Sequence, residues 1–107
     1  MEKHELSYSD CRIFIKYISK AIDSLFHHNF KAISENIDSA KDMLFDWRCD
    51  DEIGLRDDEW LTCLLSEVTA AYEMDDWASL FEGLCCIRDE VKKMMQRLGI
   101  KQDTNGC

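Results

Sequence analysis

The sequence predicts an all-α protein, an antiparallel up-down four-helix bundle made of two tandem helical hairpins. Three observations lead to this fold class. Pro is absent and Gly occurs only four times, at Gly54, Gly83, Gly99 and Gly106, so long stretches run without a turn signal. In "FKAISENIDSAKDMLFDW" the apolar residues Phe30, Ile33, Ile37, Ala40, Leu44 and Trp47 alternate steps of three and four, which places them on one stripe of a helix. The same steps recur at Trp77, Leu80, Leu84, Ile87, Val91, Met94 and Leu98, the first six each 47 positions after a counterpart in the earlier stripe. Extended backwards, that offset pairs Ile18 with Leu65, Ala21 with Val68, Leu25 with Tyr72 and Asn29 with Asp76, so each half reads as a helical hairpin and an internal repeat becomes possible.

The first helix is expected over about 10–27, with Ser9 at its start. The second is expected over about 30–47 behind Asn29, the third over about 59–73 behind Asp58, and the fourth over about 77–98 behind Asp76. Each of these starting residues can accept hydrogen bonds from free first-turn amides. Gly99 suits the left-handed residue that ends the fourth helix, and Lys92, Lys93 and Arg97 complement that helix's negative end. The links at about 28–29 and 74–76 are so short that consecutive helices must run antiparallel, whereas "RCDDEIGLRDD" reads as a longer, solvated acidic loop between hairpins. The whole chain, 1–107, is read as one helical domain, with hairpins over about 10–47 and 59–98 and a frayed tail over 99–107.

Composition narrows the function classes. There are 22 acidic and 13 basic side chains, for a net charge of −9, which repels phosphate backbones and anionic membranes at long range. Direct nucleic-acid or membrane binding is therefore not expected. From Asp57 to Glu90 there are ten carboxylates and a single cation, Arg88. No apolar run has the length of a signal-peptide core or a membrane span, so a cytoplasmic protein with its six Cys reduced is expected.

Candidate chemical sites each have a plainer explanation. Glu73, Asp75 and Asp76 are spaced closely enough to bind a hard cation, but helix starts favour the same residues, and neither a calcium loop nor a Glu-x-x-His motif is present. Cys85 and Cys86 are adjacent within a helix, which points them about 100° apart and suits core filling better than a thiol pair or zinc knuckle. Cys11 and Cys63 fall beside apolar stripes, as small hydrophobes would. His27 and His28 lack two further ligands and suit a helix end; His4 is isolated. Gly83 inside a helix suggests close approach by a neighbouring helix. Trp47 and Trp77 lie on the apolar stripes and are expected inside, with Trp60 half exposed.

With no nucleophile elbow, phosphate loop or dinucleotide fingerprint, neither an enzyme nor a cofactor is expected. The expected function is a non-enzymatic interaction protein that binds or blocks another protein's basic patch, as toxin-immunity proteins and phage inhibitors of nucleic-acid-handling complexes do. Its expected contact residues are Asp57, Asp58, Glu59, Trp60, Glu67, Glu73, Asp75 and Asp76. The competing expectation is a helical chaperone or adaptor that uses an apolar groove around Phe81 and Trp60.

Overall fold

The computed structural model describes residues 6–100. Four helices follow one another, α1 (Tyr8–Phe26), α2 (Phe30–Cys49), α3 (Leu55–Glu73) and α4 (Trp77–Arg97), with no strand among the described residues. Each packs against its two neighbours in the order α1, α2, α3, α4 and back to α1, and the diagonal pairs make no close backbone contact. This is the four-helix arrangement of two hairpins that the apolar stripes predict.

The stripes supply the core. Phe14, Ile18, Ile33, Leu80, Leu84, Ile87, Val68, Val91 and Met94 are fully buried, and Trp47 packs beside Phe14 with ring centroids 5.1 Å apart. Where Gly83 faces α3, an added Cβ would come within 2.5 Å of Val68 Cγ1. The absent side chain lets α4 close on α3, through a side chain of the neighbour and not its backbone.

The offset of 47 extends further than the stripes. It relates the starts of α1 and α3, Tyr8 and Leu55, and the starts of α2 and α4, Phe30 and Trp77. It also pairs the buried residues Leu6 with Ile53, Phe14 with Leu61 and Cys11 with Asp58. The turns agree in detail: His27 (φ −93°, ψ 6°) and Met74 (φ −91°, ψ 3°) end their helices, His28 and Asp75 both take φ 56°, and Asn29 and Asp76 cap the next helix. In both turns the amide after the left-handed residue donates back five residues, Asn29 to Ser24 O and Asp76 to Ala71 O, each within 2.9 Å. This backbone trap satisfies carbonyls that a helix end leaves unpaired, and His and Asp are among the non-glycine residues that tolerate a positive φ.

Several expected boundaries move. The cap of α1 is Ser7, whose hydroxyl accepts from Asp10 N, and not Ser9. Helix α2 continues two residues past Trp47, and α3 starts at Leu55 behind Gly54, which forms no side-chain cap. Asp58 is thus in the first turn of α3 instead of at its cap, and the expected eleven-residue acidic loop shrinks to 50–54, with Ile53 buried. Gly99 takes φ 70° as expected, but Ile100 is not frayed: its amide donates to Met95 O and its side chain packs against the core. The rest of the tail expectation, 101–107 with Cys107, lies outside the described residues, as does His4. No helix among the described residues is long and apolar enough to cross a membrane.

Candidate interaction surface

Helices α1 and α3 end, and α2 and α4 begin, at the same end of the bundle, so the two short turns lie side by side there. Each turn is flanked by aromatic residues, and the fold gathers them. Phe30 stacks on Trp77 with centroids 4.9 Å apart, and Tyr72 stands edge-on to Trp77 at 6.2 Å. Phe26 meets Phe81 edge-to-face at 5.5 Å across the α1–α4 seam. The Tyr72 hydroxyl donates to Phe30 O at 3.0 Å, which fixes the ring across the α2–α3 seam. Much of this cluster stays in contact with solvent: Phe26 is 66% exposed, Phe30 41% and Phe81 36%, and Met74 on the turn is 76% exposed. Exposed apolar side chains grouped in this way, Phe26 with Phe81 and Phe30 with Trp77 and Tyr72, are a usual mark of a contact surface.

The acidic residues expected to form one face are divided by the structure into two groups. At the opposite end, cations from other helices engage them. Arg48, at the end of α2, forks onto Asp58 with contacts of 2.8 and 2.9 Å and also reaches the Thr62 hydroxyl. The guanidinium holds the Asp58 carboxyl below its ordinary range, and Asp58 is itself buried, so it is not available to a partner. Arg97 of α4 donates two hydrogen bonds to Asp57 Oδ1. Glu59 and Trp60 line a groove with Arg56, Glu90, Lys93 and Arg97, where the cations offset the acids. Trp60 is 49% exposed there, as expected. The apparent lack of cations in this stretch was a property of the linear chain, and the fold supplies Arg48 and Arg97 from elsewhere.

Toward the turn end, no such compensation is present. Glu67, Glu73 and Asp75 form no ion pair with any described residue. Glu67 lines the α3–α4 groove with Glu82, Gly83 and Cys86. Asp76 has a structural task, accepting from Ser79 N as the cap of α4, and Ser79 draws its pKa down. Glu73 and Asp75 edge a depression whose other walls are Phe30, Tyr72 and Trp77.

Other expectations are corrected here. Trp77 is half-buried at the rim and not inside the core. Cys63 is exposed, with its thiol 4.0 Å from Glu67 Oε1, and Cys85 and Cys86 are half-buried at the flanks of α4. Burial pushes the Cys11 thiol up to about 11 and raises that of Cys86, so neither is poised as a thiolate. His27 Nδ1 sits 2.8 Å from Asp23 O at the end of α1. Phe81 and Trp60 do not share a groove: Phe81 contacts α1, whereas Trp60 shares its groove with Glu90, nine positions along α4 and on the helix's opposite side. Among the described residues, no three His, Cys, Asp or Glu side chains are grouped so as to hold a metal ion.

Phe26, Phe30 and Tyr72 were not among the expected contact residues, and Phe81 was expected only in the competing apolar-groove reading. Their signal was available, since aromatic residues fall within a few positions of both predicted turns, but stripe periodicity assigns such residues to the core by default. No family model, curated protein or solved structure matches the chain.

Proposed function

We propose that the chain is a cytoplasmic, non-enzymatic interaction protein that binds a basic patch on another protein through the turn end of its second hairpin, and blocks that patch in the manner of an immunity protein or inhibitor. The observation that carries this reading is the depression in which Phe30, Tyr72 and Trp77 lie beside Glu73 and Asp75, with Glu67 on the α3–α4 groove of the same hairpin; none of these three carboxylates has an ion-pair partner among the described residues. Rings supply the buried anchors of an interface, and unneutralised carboxylates at its edge steer a cationic partner and disfavour a wrong one. The described thiols are unpaired, including buried Cys11, which suits a reducing compartment.

The test uses the partner recovered by affinity capture on the intact protein. Replacing Glu67→Lys and Glu73→Lys together should slow its association about tenfold at low salt and much less at high salt, with thermal stability unchanged within about 1 kcal/mol. Equal association rates for the folded double variant and the original protein would refute the proposal.

The exposure of Phe26 and Phe81 favours a second reading, a chaperone or adaptor that holds an apolar segment at the α1–α4 seam. Binding of that kind would hold or strengthen as salt is added. It would also be lost in Phe26→Ser with Phe81→Ser while surviving the charge reversals.

A further inference from the structure

The depression walled by Phe30, Tyr72 and Trp77 and edged by Glu73 and Asp75 has a chemistry of its own. Its rings are held in place. Phe30 covers one face of Trp77 at 4.9 Å, Tyr72 stands at 70° to the indole, and the Tyr72 hydroxyl is tied to Phe30 O. Asp75 is positioned by the φ 56° turn that ends α3, and Glu73 is the last residue of that helix.

The molecule contains its own control. Under the offset of 47, the residues corresponding to Tyr72, Glu73, Asp75 and Trp77 are Leu25, Phe26, His28 and Phe30, on a turn of the same backbone geometry. The first turn therefore has no phenol and no carboxylate where the second has one and two. Helix and turn geometry do not require the two carboxylates or the phenol, because the first turn closes without them.

Each alternative ligand class meets an obstacle in this depression. An anion would face Glu73 and Asp75, and the first-turn amide of Ser79 in α4 is already occupied by Asp76. A metal ion would lack a third donor, since the described residues offer no group of three. A neutral apolar group would desolvate two carboxylates and return nothing to them. An organic cation meets none of these objections: ring faces attract it through their quadrupoles and the carboxylates neutralise it. A planar guanidinium does this better than an ammonium, because it can lie on a ring and fork onto a carboxylate at once.

We propose that this depression is an arginine-binding subsite, in which a guanidinium side chain of the basic partner lies against Trp77 and Tyr72 and is neutralised by Glu73 and Asp75. This inference rests on the acidic-surface reading and adds to it the anchor that the surface takes. The partner would then present an exposed arginine at the centre of its basic patch, and arginine-to-lysine replacement there would not be conservative.

The experiment titrates the intact protein with three short peptides identical except for a central arginine, lysine or norleucine, and follows the indole N–H of Trp77 by NMR. The arginine peptide should shift that signal saturably, with the Trp60 indole unmoved, and the norleucine peptide should not. In the Glu73→Gln, Asp75→Asn variant the arginine peptide should bind about tenfold more weakly; this variant keeps the fold, since Asn tolerates the positive φ at position 75 at least as well as Asp. An equal response to norleucine or to lysine would overturn the assignment, as would unchanged affinity in the folded variant. If a basic partner still associates in a manner that depends on Glu67 while the Trp77 indole stays unmoved, the arginine subsite fails and the acidic-surface reading survives. If the arginine peptide seats but charge reversal leaves the partner's association unchanged, the acidic-surface reading is the one that fails.

Discussion

The first turn, His27-His28-Asn29, and the second, Met74-Asp75-Asp76, share left-handed residues at φ 56°, the same back-donated amide and the same kind of side-chain cap. Their charges differ, with two imidazoles in one and two carboxylates in the other. A turn of this kind requires a residue that tolerates positive φ followed by a capping acceptor, and both sequences meet that requirement. Sign of charge is left free by the fold, so the acidic character of the second turn is where selection for binding could act without cost to the backbone. The opposite end of the molecule follows another rule, because Asp58 and Asp57 there are engaged by Arg48 and Arg97 in holding helices together.

If the two hairpins are structural equivalents, then the same substitution at equivalent core positions should do the same damage. Leu84 and Ile37 are such a pair, 0% and 3% exposed. Leu84→Asp and Ile37→Asp should each cost more than about 4 kcal/mol, by burying a charge with no partner, and leave the protein unfolded by circular dichroism. A cooperative thermal transition in only one of the two would break the equivalence.

The next comparison concerns close approach. Gly83 and Val68 correspond to Asn36 and Ala21, so the small and large members are exchanged between hairpins. Gly83→Ala should lower stability by about 1–3 kcal/mol through contact with Val68, despite the better helix propensity of Ala. Asn36→Ala should be close to neutral. Urea denaturation of both variants measures the contrast, and a stabilised Gly83→Ala would show that α3 and α4 can separate freely.

A smaller effect should distinguish the two hairpin junctions. Arg48 and Asp58, which bridge α2 and α3, correspond to Met95 and Cys11 on α4 and α1, both buried. Asp58→Ala should cost about 1–2 kcal/mol, near the low end for a charged hydrogen bond because Arg48 is half exposed. Arg48→Met with Asp58→Cys, which transplants the other junction's residues, should recover most of that loss. The pair also has a pH signature. Its hydrogen bonds to Arg48 lower the Asp58 pKa from the ordinary 3.8, so its contribution is complete above that pH and disappears as pH falls through the lower folded value. Acid unfolding of the original protein should therefore show one more proton taken up at low pH than that of the Arg48→Met, Asp58→Cys variant.

Periodicity made the helices legible because it records burial directly. Ile33, Leu80 and Leu84 are where the stripes put them, and Asn29, Asp76 and Gly99 perform the capping roles their chemistry suggests. The start of α3 was obscured because Gly54 caps without a side chain, leaving Asp58 as the nearest residue with capping chemistry. The surroundings of the acidic residues were legible only in part. Local charge counts are blind to Arg48 and Arg97, which reach Asp58 and Asp57 from ten and 40 positions away. The aromatic end was hidden for a related reason: Phe26 and Phe30 belong to α1 and α2, Tyr72 and Trp77 to α3 and α4, and only the closing of the bundle brings them together.

The central claim, that binding belongs to the second hairpin's turn end and not to the protein's overall charge, is tested most directly by partner association kinetics in two charge-matched variants. One carries Glu67→Lys and Glu73→Lys; the other carries Glu35→Lys and Asp38→Lys, an equal change of charge on exposed positions of α2. The first should associate about tenfold more slowly than the original protein at low salt, and the second should stay within about twofold of it. Equal slowing of the two, or no slowing of the first, would contradict the claim.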